Sequence, residues 1–192
     1  MSIRTRLSDA SRWLAAVHVA AVALAIVIAG CGSGSGPAPL ALGQTATFDH
    51  TQLSGASPAP KTTLAVTVLA VRTGTTAELE AGGFDLDAAQ KAKSPMYVDV
   101  RYENKGSQAI DRNLDVSLED QDGNLITSVA IISLGDNPFA PCTDNSTGSL
   151  APGESFQTCT LFLVGAGRTP TKVSFLPNDP GKETDFVYWS AK

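Results

Sequence analysis

An all-β fold, an antiparallel sandwich of about seven or eight strands with one short helical insert, is what this 192-residue sequence predicts. Three observations carry the prediction. Apolar and polar residues alternate with a period of two through most of the chain. Glycine-containing turn signals recur at short spacing. Helical patterning is confined to one brief segment.

Taken in order, "TATFDH" (45–50) reads as a leading edge strand. "TTLAVTVLAVRTG" (62–74) is β-branched but too continuously apolar for a strand with one wet face, so it is central or carries a bulge that swaps faces. In "GGFDLDAAQKAKSP", Asp85 or Asp87 caps a short helical turn from Ala88 to Lys93 that Pro95 stops, with an irregular loop as the competing reading. "MYVDVRYEN" turns Met96, Val98, Val100 and Tyr102 one way and Tyr97, Asp99, Arg101 and Glu103 the other. "NLDVSLED" repeats this with Leu114, Val116 and Leu118 inward and Asp115, Ser117 and Glu119 outward. Asp122-Gly123 is a turn dipeptide that favours positive φ, and "LITSVAII" returns from it to close a hairpin. Pro152 and Gly153 mark the turn into "ESFQTCTLFLV", after which "TKVSFLP" and "DFVYWS" complete the strands. Phe156, Phe162, Phe175, Phe186, Tyr188 and Trp189 fall in these patterns as core residues, Trp189 closing one end.

Ahead of the strands lies a different chemistry. Arg4, Arg6 and Arg12 precede a stretch, Trp13–Gly30, with no Asp, Glu, Lys or Arg. A basic start and an apolar run are the layout of an export signal, and the run is long enough to compete as a membrane span. Its exit, Ile28-Ala29-Gly30-Cys31, resembles the bacterial lipobox. That resemblance implies cleavage between Gly30 and Cys31 and a diacylglycerol on the Cys31 sulfur. Two acyl chains are the minimum for durable anchoring, because each buried methylene contributes only about 0.8 kcal/mol. "GSGSGPAPLALG" lacks charge and periodicity and reads as a leash. The expected organisation is a leader at 1–30, a lipidated cysteine and linker at 31–43, and a sandwich domain at 44–192.

Removing residues 1–30, with their three arginines and Asp9, leaves 11 basic and 18 acidic residues, a net charge of −7. Such a domain is repelled by phosphate backbones and anionic headgroups, which disfavours nucleic-acid partners and leaves the lipid as its route to a membrane. With Cys31 assigned to lipid, Cys142 and Cys159 remain, an even pair expected to form a disulfide in an oxidising compartment; two buried thiols are the alternative.

In this order, "LAVTVLAV", "PMYVDVRYENKGSQAI", "LEDQDGN", "LAPGESFQTCTLFLVGAG" and "KVSFLP" resemble the telokin-like, immunoglobulin-like extracellular domain family of bacterial lipoproteins. The cysteine pair and the "GFDLDAAQKAKSP" insert are similar to its actinobacterial members. The match covers roughly residues 60 to 189. It implies an immunoglobulin-type sandwich on a lipid anchor, and it supplies no catalytic residues.

Few residues carry the chemistry an enzyme needs. With His18 in the leader, His50 is the one histidine of the domain, and its edge-strand position predicts a solvated side chain rather than a catalytic base. Asp99, Glu103, Asp115 and Glu119 lie on outward strand positions, where a carboxylate-dependent polysaccharide hydrolase would need two of them facing one cleft. "EDQDGN" fails as an EF-hand because Leu118 and Val129 fall on ligand positions, which leaves a looser calcium site at Asp120 and Asp122. Asn145-Ser146-Thr147 is read as a polar loop. No cofactor or structural metal is expected.

The function these features predict is a non-enzymatic binding or scaffolding module on the extracytoplasmic face of the cell membrane, serving an envelope protein or ligand. The expected contact region is the disulfide-pinned loop from about 133 to 149, with Asp136, Asn137, Phe139 and Asp144 as its candidate contacts. Small-ligand capture is a further alternative and calls for an apolar pocket.

Overall fold

The computed structural model describes residues 38–52, 58–130, 139–178 and 186–192. These belong to the second of two units into which the chain divides, Pro37–Lys192. The leader, Gly30, Cys31, Asp136 and Asn137 lie outside the described residues.

The elements run β1 (Thr45–Thr51), β2 (Lys61–Thr73), α1 (Thr76–Ala81), α2 (Ala88–Lys91), β3 (Ser94–Asn104), β4 (Ile110–Asp111) and β5 (Ser117–Asp120). They continue with β6 (Leu125–Ile126), β7 (Ser128–Val129), β8 (Ser149–Leu150), β9 (Ser155–Val164), β10 (Pro170–Phe175) and β11 (Val187–Ser190). One sheet has the order β1-β2-β3-β9-β7, a second β11-β10-β5-β6, and β4 pairs with β8 alone. Every strand pair is antiparallel, and the fold is an all-β sandwich as predicted.

Alternation explains how the two larger sheets face each other. Leu64, Val66 and Val68 of β2, Val98, Val100 and Tyr102 of β3, and Phe156 and Phe162 of β9 form one side of the main core. Leu118 of β5, Val173 and Phe175 of β10 and Trp189 of β11 form the other. Full burial of side chains of this size contributes about 1.5–3 kcal/mol each. The apolar excess in β2 has the predicted cause: the register shifts between Val68 and Ala70, which leaves Leu69 exposed and returns Val71 to the core.

The outer face of the larger sheet is covered as well. Tyr97 of β3 and Cys159, Leu161 and Leu163 of β9 meet Leu79, Leu86 and Phe139 in a second core. Burial on both faces is why "CTLFLV" is almost continuously apolar. Two helices form where one was expected, and the cover comes from Leu79 of α1 and Leu86 in the connection after it, since α2 buries no residue. Asp87 caps α2 as predicted, its side chain accepting from Gln90 N at 2.7 Å. The unpredicted α1 carries the same signature, Thr75 accepting from Glu78 N and Glu78 accepting from Thr75 N.

The hairpin around Gly123 (φ +81°) forms as expected between β5 and β6. "LITSVAII", however, does not stay in one sheet. Leu125–Ile126 pairs with β5, and Ser128–Val129 pairs with β9 in the other sheet. The docked part of the chain also starts earlier than the leash was expected to end. Leu40 N donates to Tyr188 O and Ser190 N to Leu40 O, both at 2.8 Å. Leu40 and Leu42 pack on the main core. Trp189 is 0% exposed and donates from Nε1 to Gln44 O at 2.8 Å, closing that end.

Candidate functional site

The four outward acids are not brought together. Asp99 on β3 receives a two-pronged bond from Arg72, at 2.7 and 2.9 Å. Glu103 is held by Lys105 at 2.9 Å. Glu119, expected to face water, is only 9% exposed because it lies opposite Lys172 of β10 and pairs with it at 2.7 Å. Asp115 lines two cavities.

The calcium site at Asp120 and Asp122 is occupied by the protein's own cation. Asp120 accepts from Arg168 Nε at 2.6 Å, from Asn124 N at 2.8 Å and from Asp122 N at 3.0 Å. Burial works to raise its pKa, but the guanidinium and the two amides together hold it below the ordinary carboxylate value. Among the described residues no cluster of three His, Cys, Asp or Glu side chains is placed to hold a metal ion.

Cys142 and Cys159 form the expected disulfide, with Cα atoms 5.1 Å apart. The bridge ties the segment after residue 138 to β9, and Cys159 N donates to Thr143 O at 3.0 Å beside it. Arg72 adds a second tie, donating to Pro141 O at 2.9 Å while its guanidinium lies 5.3 Å from the Tyr97 ring centre. Of the proposed contact residues in the described part of this loop, Phe139 is a correction. It is 6% exposed, edge-on to Phe84 at 5.1 Å and beside Tyr97, so it serves as a core anchor instead of a contact. Asp144 is exposed, and its Oδ1 accepts from Ser146 N and Thr158 Oγ1. Asn145 is fastened to β9 by donation to Gln157 O at 2.8 Å.

His50 also departs from expectation. It is 4% exposed, because the chain following β10 returns over the end of β1, where Thr51 N donates to Asn178 O. Its ring lies 5.9 Å from Phe175, and its Nδ1 is buried with no hydrogen-bond partner among the described residues. Burial lowers its pKa and so favours the neutral imidazole.

Around His50 the structure gathers residues that the sequence does not connect. A cavity of about 400 Å³ at this end of the sandwich is walled by His50 and Gln52 after β1, Asp111 of β4, Asn113 and Asp115 before β5, and Asn178 after β10, with Phe175 and Leu176 as its apolar side. Gln52 is fixed in place: it donates to Asp111 O at 3.0 Å and accepts from Asp111 N at 2.6 Å. A neighbouring cavity of about 280 Å³ shares Asn113, Leu114 and Asp115 and extends to Ser128, Asp144 and Ser146. Burial and then the field of Asp144 raise the pKa of Asp115. A third recess, between Gly82 at the end of α1 and Phe139 and Pro141, is the more apolar one and opens broadly to solvent. Gln52, Asp111, Asn113 and Asn178 drew no attention in the sequence, since nothing in their local spacing announces a shared wall.

No protein-family model matches the chain, and no curated protein matches it. Among solved structures, it is similar to MPT63, a secreted protein from Mycobacterium tuberculosis, at a TM-score of 0.51 and 16% identity, over 82% of this chain and 99% of that one. That likeness is one of fold. A chain from Bacillus subtilis described as a lipoprotein, ycdA, matches with a TM-score of 0.42 and 13% identity over 67% of this chain and 36% of that one.

Proposed function

We propose that this protein is a lipid-anchored, extracytoplasmic β-sandwich of immunoglobulin-like type that acts as a non-enzymatic binding or scaffolding module at the cell envelope. The observation that carries the reading is the conjunction of Cys31, after an apolar leader, with a disulfide-bonded sandwich whose docked chain begins at Leu40. An oxidised pair belongs to an exported protein. A fold shared with a secreted mycobacterial protein supports the same compartment. No helix among the described residues is long and apolar enough to cross a membrane, and the tether in this reading is the pair of acyl chains on Cys31.

The non-enzymatic part of the proposal rests on how the candidate chemistry is used. The one histidine of the domain is buried against Phe175, and three of the four outward acids are each neutralised by a cation. A Ser-His or Cys-His mechanism requires an imidazole within reach of a nucleophile.

The experiment is a Cys31→Ser substitution followed by fractionation of the native host. The expected result is loss of the cleaved, membrane-held form, with the protein found instead as an uncleaved precursor or in the soluble fraction. A cleaved Cys31→Ser product that stays in the membrane would refute the lipid anchor.

A further inference from the structure

We infer that the His50 end of the sandwich is a proton-operated latch: with a neutral imidazole the segment Leu176–Asn178 lies closed over the end of β1, and a proton on His50 releases it. This goes beyond the binding-module reading and stands whether or not Cys31 carries lipid.

The first argument is where the imidazole sits. His50 is 4% exposed, lying between Phe175, whose ring centre is 5.9 Å away, and Thr62, its cross-strand partner on β2. Its Nδ1 is buried with no hydrogen-bond partner among the described residues. The polar groups beside it are already committed. The Thr62 hydroxyl donates to Asn104 Oδ1, and the Gln52 side chain donates to Asp111 O and accepts from Asp111 N. A neutral ring occupies this place at the cost of one unpaired atom. The imidazolium brings a charge and two N–H donors, and the closed end offers Nδ1 no acceptor among the described residues.

The charged groups around the ring do not offset this. Lys61 of β2, opposite Thr51, is itself positive. Arg112 is directed away, donating to Ser149 O with its guanidinium carbon 5.2 Å from the Phe156 ring centre. Asp49, next to His50 on β1, is exposed on the other face of the strand, where Thr63 Oγ1 donates to it at 3.4 Å. Asp111 of β4 and Asp115 before β5 stand across a cavity of about 400 Å³. Tyr102 of β3, its ring centre 6.1 Å from that of Phe175, is held neutral by burial and then by the field of Asp115. Burial sets the direction of the His50 pKa, downward.

The second argument is how lightly the cover is fastened. Thr51 N donates to Asn178 O at 2.5 Å, the backbone bond that ties the segment to β1. Leu176 is 39% exposed, and Pro177 has no N–H to give. Phe175, by contrast, is buried and stacked on Phe48 at 5.2 Å, so it stays with β10 and the hinge falls after it. With the segment open, His50 is solvated and titrates near the ordinary value of about 6.5. Closure is therefore complete above that pH and weakens below it, by up to about tenfold per pH unit for one proton, until the lower closed-state value is passed.

The test is amide hydrogen exchange by NMR on the full chain in detergent, from about pH 7.5 to about pH 5, with intrinsic exchange rates divided out. The expected result is protection of the Thr51 N–H that is constant above about pH 6.5 and falls about tenfold by about pH 5, while Val98 and Val100 of β3 keep theirs. His50→Phe, which keeps a ring against Phe175, abolishes the fall. Asp111→Asn and Asp115→Asn, which remove the acids across the cavity, retain it. Ring-proton titration of His50 in the unsubstituted chain decides the matter if His50→Phe does not fold, with an expected midpoint below about 6.5 that coincides with the change at Thr51. The inference is overturned by flat protection at Thr51, by the same fall in His50→Phe, by its loss in Asp111→Asn or Asp115→Asn, or by a His50 midpoint at or above the ordinary value.

Discussion

Asn104 shows how much a single buried polar side chain organises here. It is fully buried at the end of β3, where its Nδ2 donates to Gln108 O at 2.8 Å and Leu150 O at 3.0 Å. Its Oδ1 accepts from Gly106 N at 3.0 Å and from the Thr62 hydroxyl. One amide thus joins β2, the turn after β3 and β8. Asn104→Ala strands two carbonyls and an N–H in the interior, and unsatisfied groups cost about 1–3 kcal/mol each, so a loss of about 3 kcal/mol or more in urea denaturation is expected. Gly106 is constrained by the same knot, since an added Cβ would stand 2.7 Å from Thr63 N, a backbone atom that cannot swing aside. The "ENKG" turn was visible in the sequence as part of a resemblance, yet its purpose was not. The partners of Asn104 include Leu150, 46 residues further on, and no local pattern predicts that meeting. For the same reason, His50 is buried where a solvated side chain was predicted. Edge-strand position says nothing about the segment near Asn178 that covers it.

At the scale of elements, alternation made most strands legible, because a sheet with one buried face writes a period of two into the chain. β3 and β5 carry that period, whereas the bulged β2 and β9, which is buried on both faces, are legible as nearly continuous apolar runs. What stayed hidden were the places where long-range pairing decides, such as the passage of the chain from β6 in one sheet to β7 in the other. Helix α1 is a different case, for Thr75 and Glu78 spell a capping box in the sequence, set between two much stronger strand signals. The second core makes a specific prediction for the disulfide. Cross-linking residues 17 apart stabilises by about 3 kcal/mol in the chain-entropy model. Cys142→Ala/Cys159→Ala is expected to lose about that much, with hydrogen exchange rising at Phe139–Asn145 and α1 while β2 and β3 stay protected. The β5–β6 turn makes another. The pKa of Asp120 is lower folded than unfolded, so its contribution is complete above the ordinary carboxylate range and disappears as pH falls through the lower folded value. Asp120→Asn is expected to flatten the acid limb of stability below about pH 4, measured by urea melts over a pH series. An unchanged limb would assign the acid sensitivity elsewhere.

At the scale of the whole molecule, the described residues form one sandwich with one end built differently from the rest. Trp189 and the returning Leu40 close one side of the sandwich with apolar contacts and three backbone-directed hydrogen bonds. The His50 end is left polar and cavity-bearing. Residues 31–192 carry a net charge of −7, which opposes adhesion to anionic surfaces, and the proposed function accordingly assigns membrane attachment to a lipid. Sandwich and disulfide were legible because they follow from period and cysteine count, while the tether stays a proposal that rests on a local motif. The cavity was not legible, since its wall is assembled from β1, β4, the approach to β5 and the end of β10. The measurement that tests the central claim most directly is mass spectrometry of the N-terminal peptide of the protein purified from its native membrane. The account predicts a peptide beginning at Cys31 and carrying a diacylglycerol on its sulfur. A peptide running unbroken through Gly30 and Cys31, or a mature Cys31 without acyl chains, would contradict it.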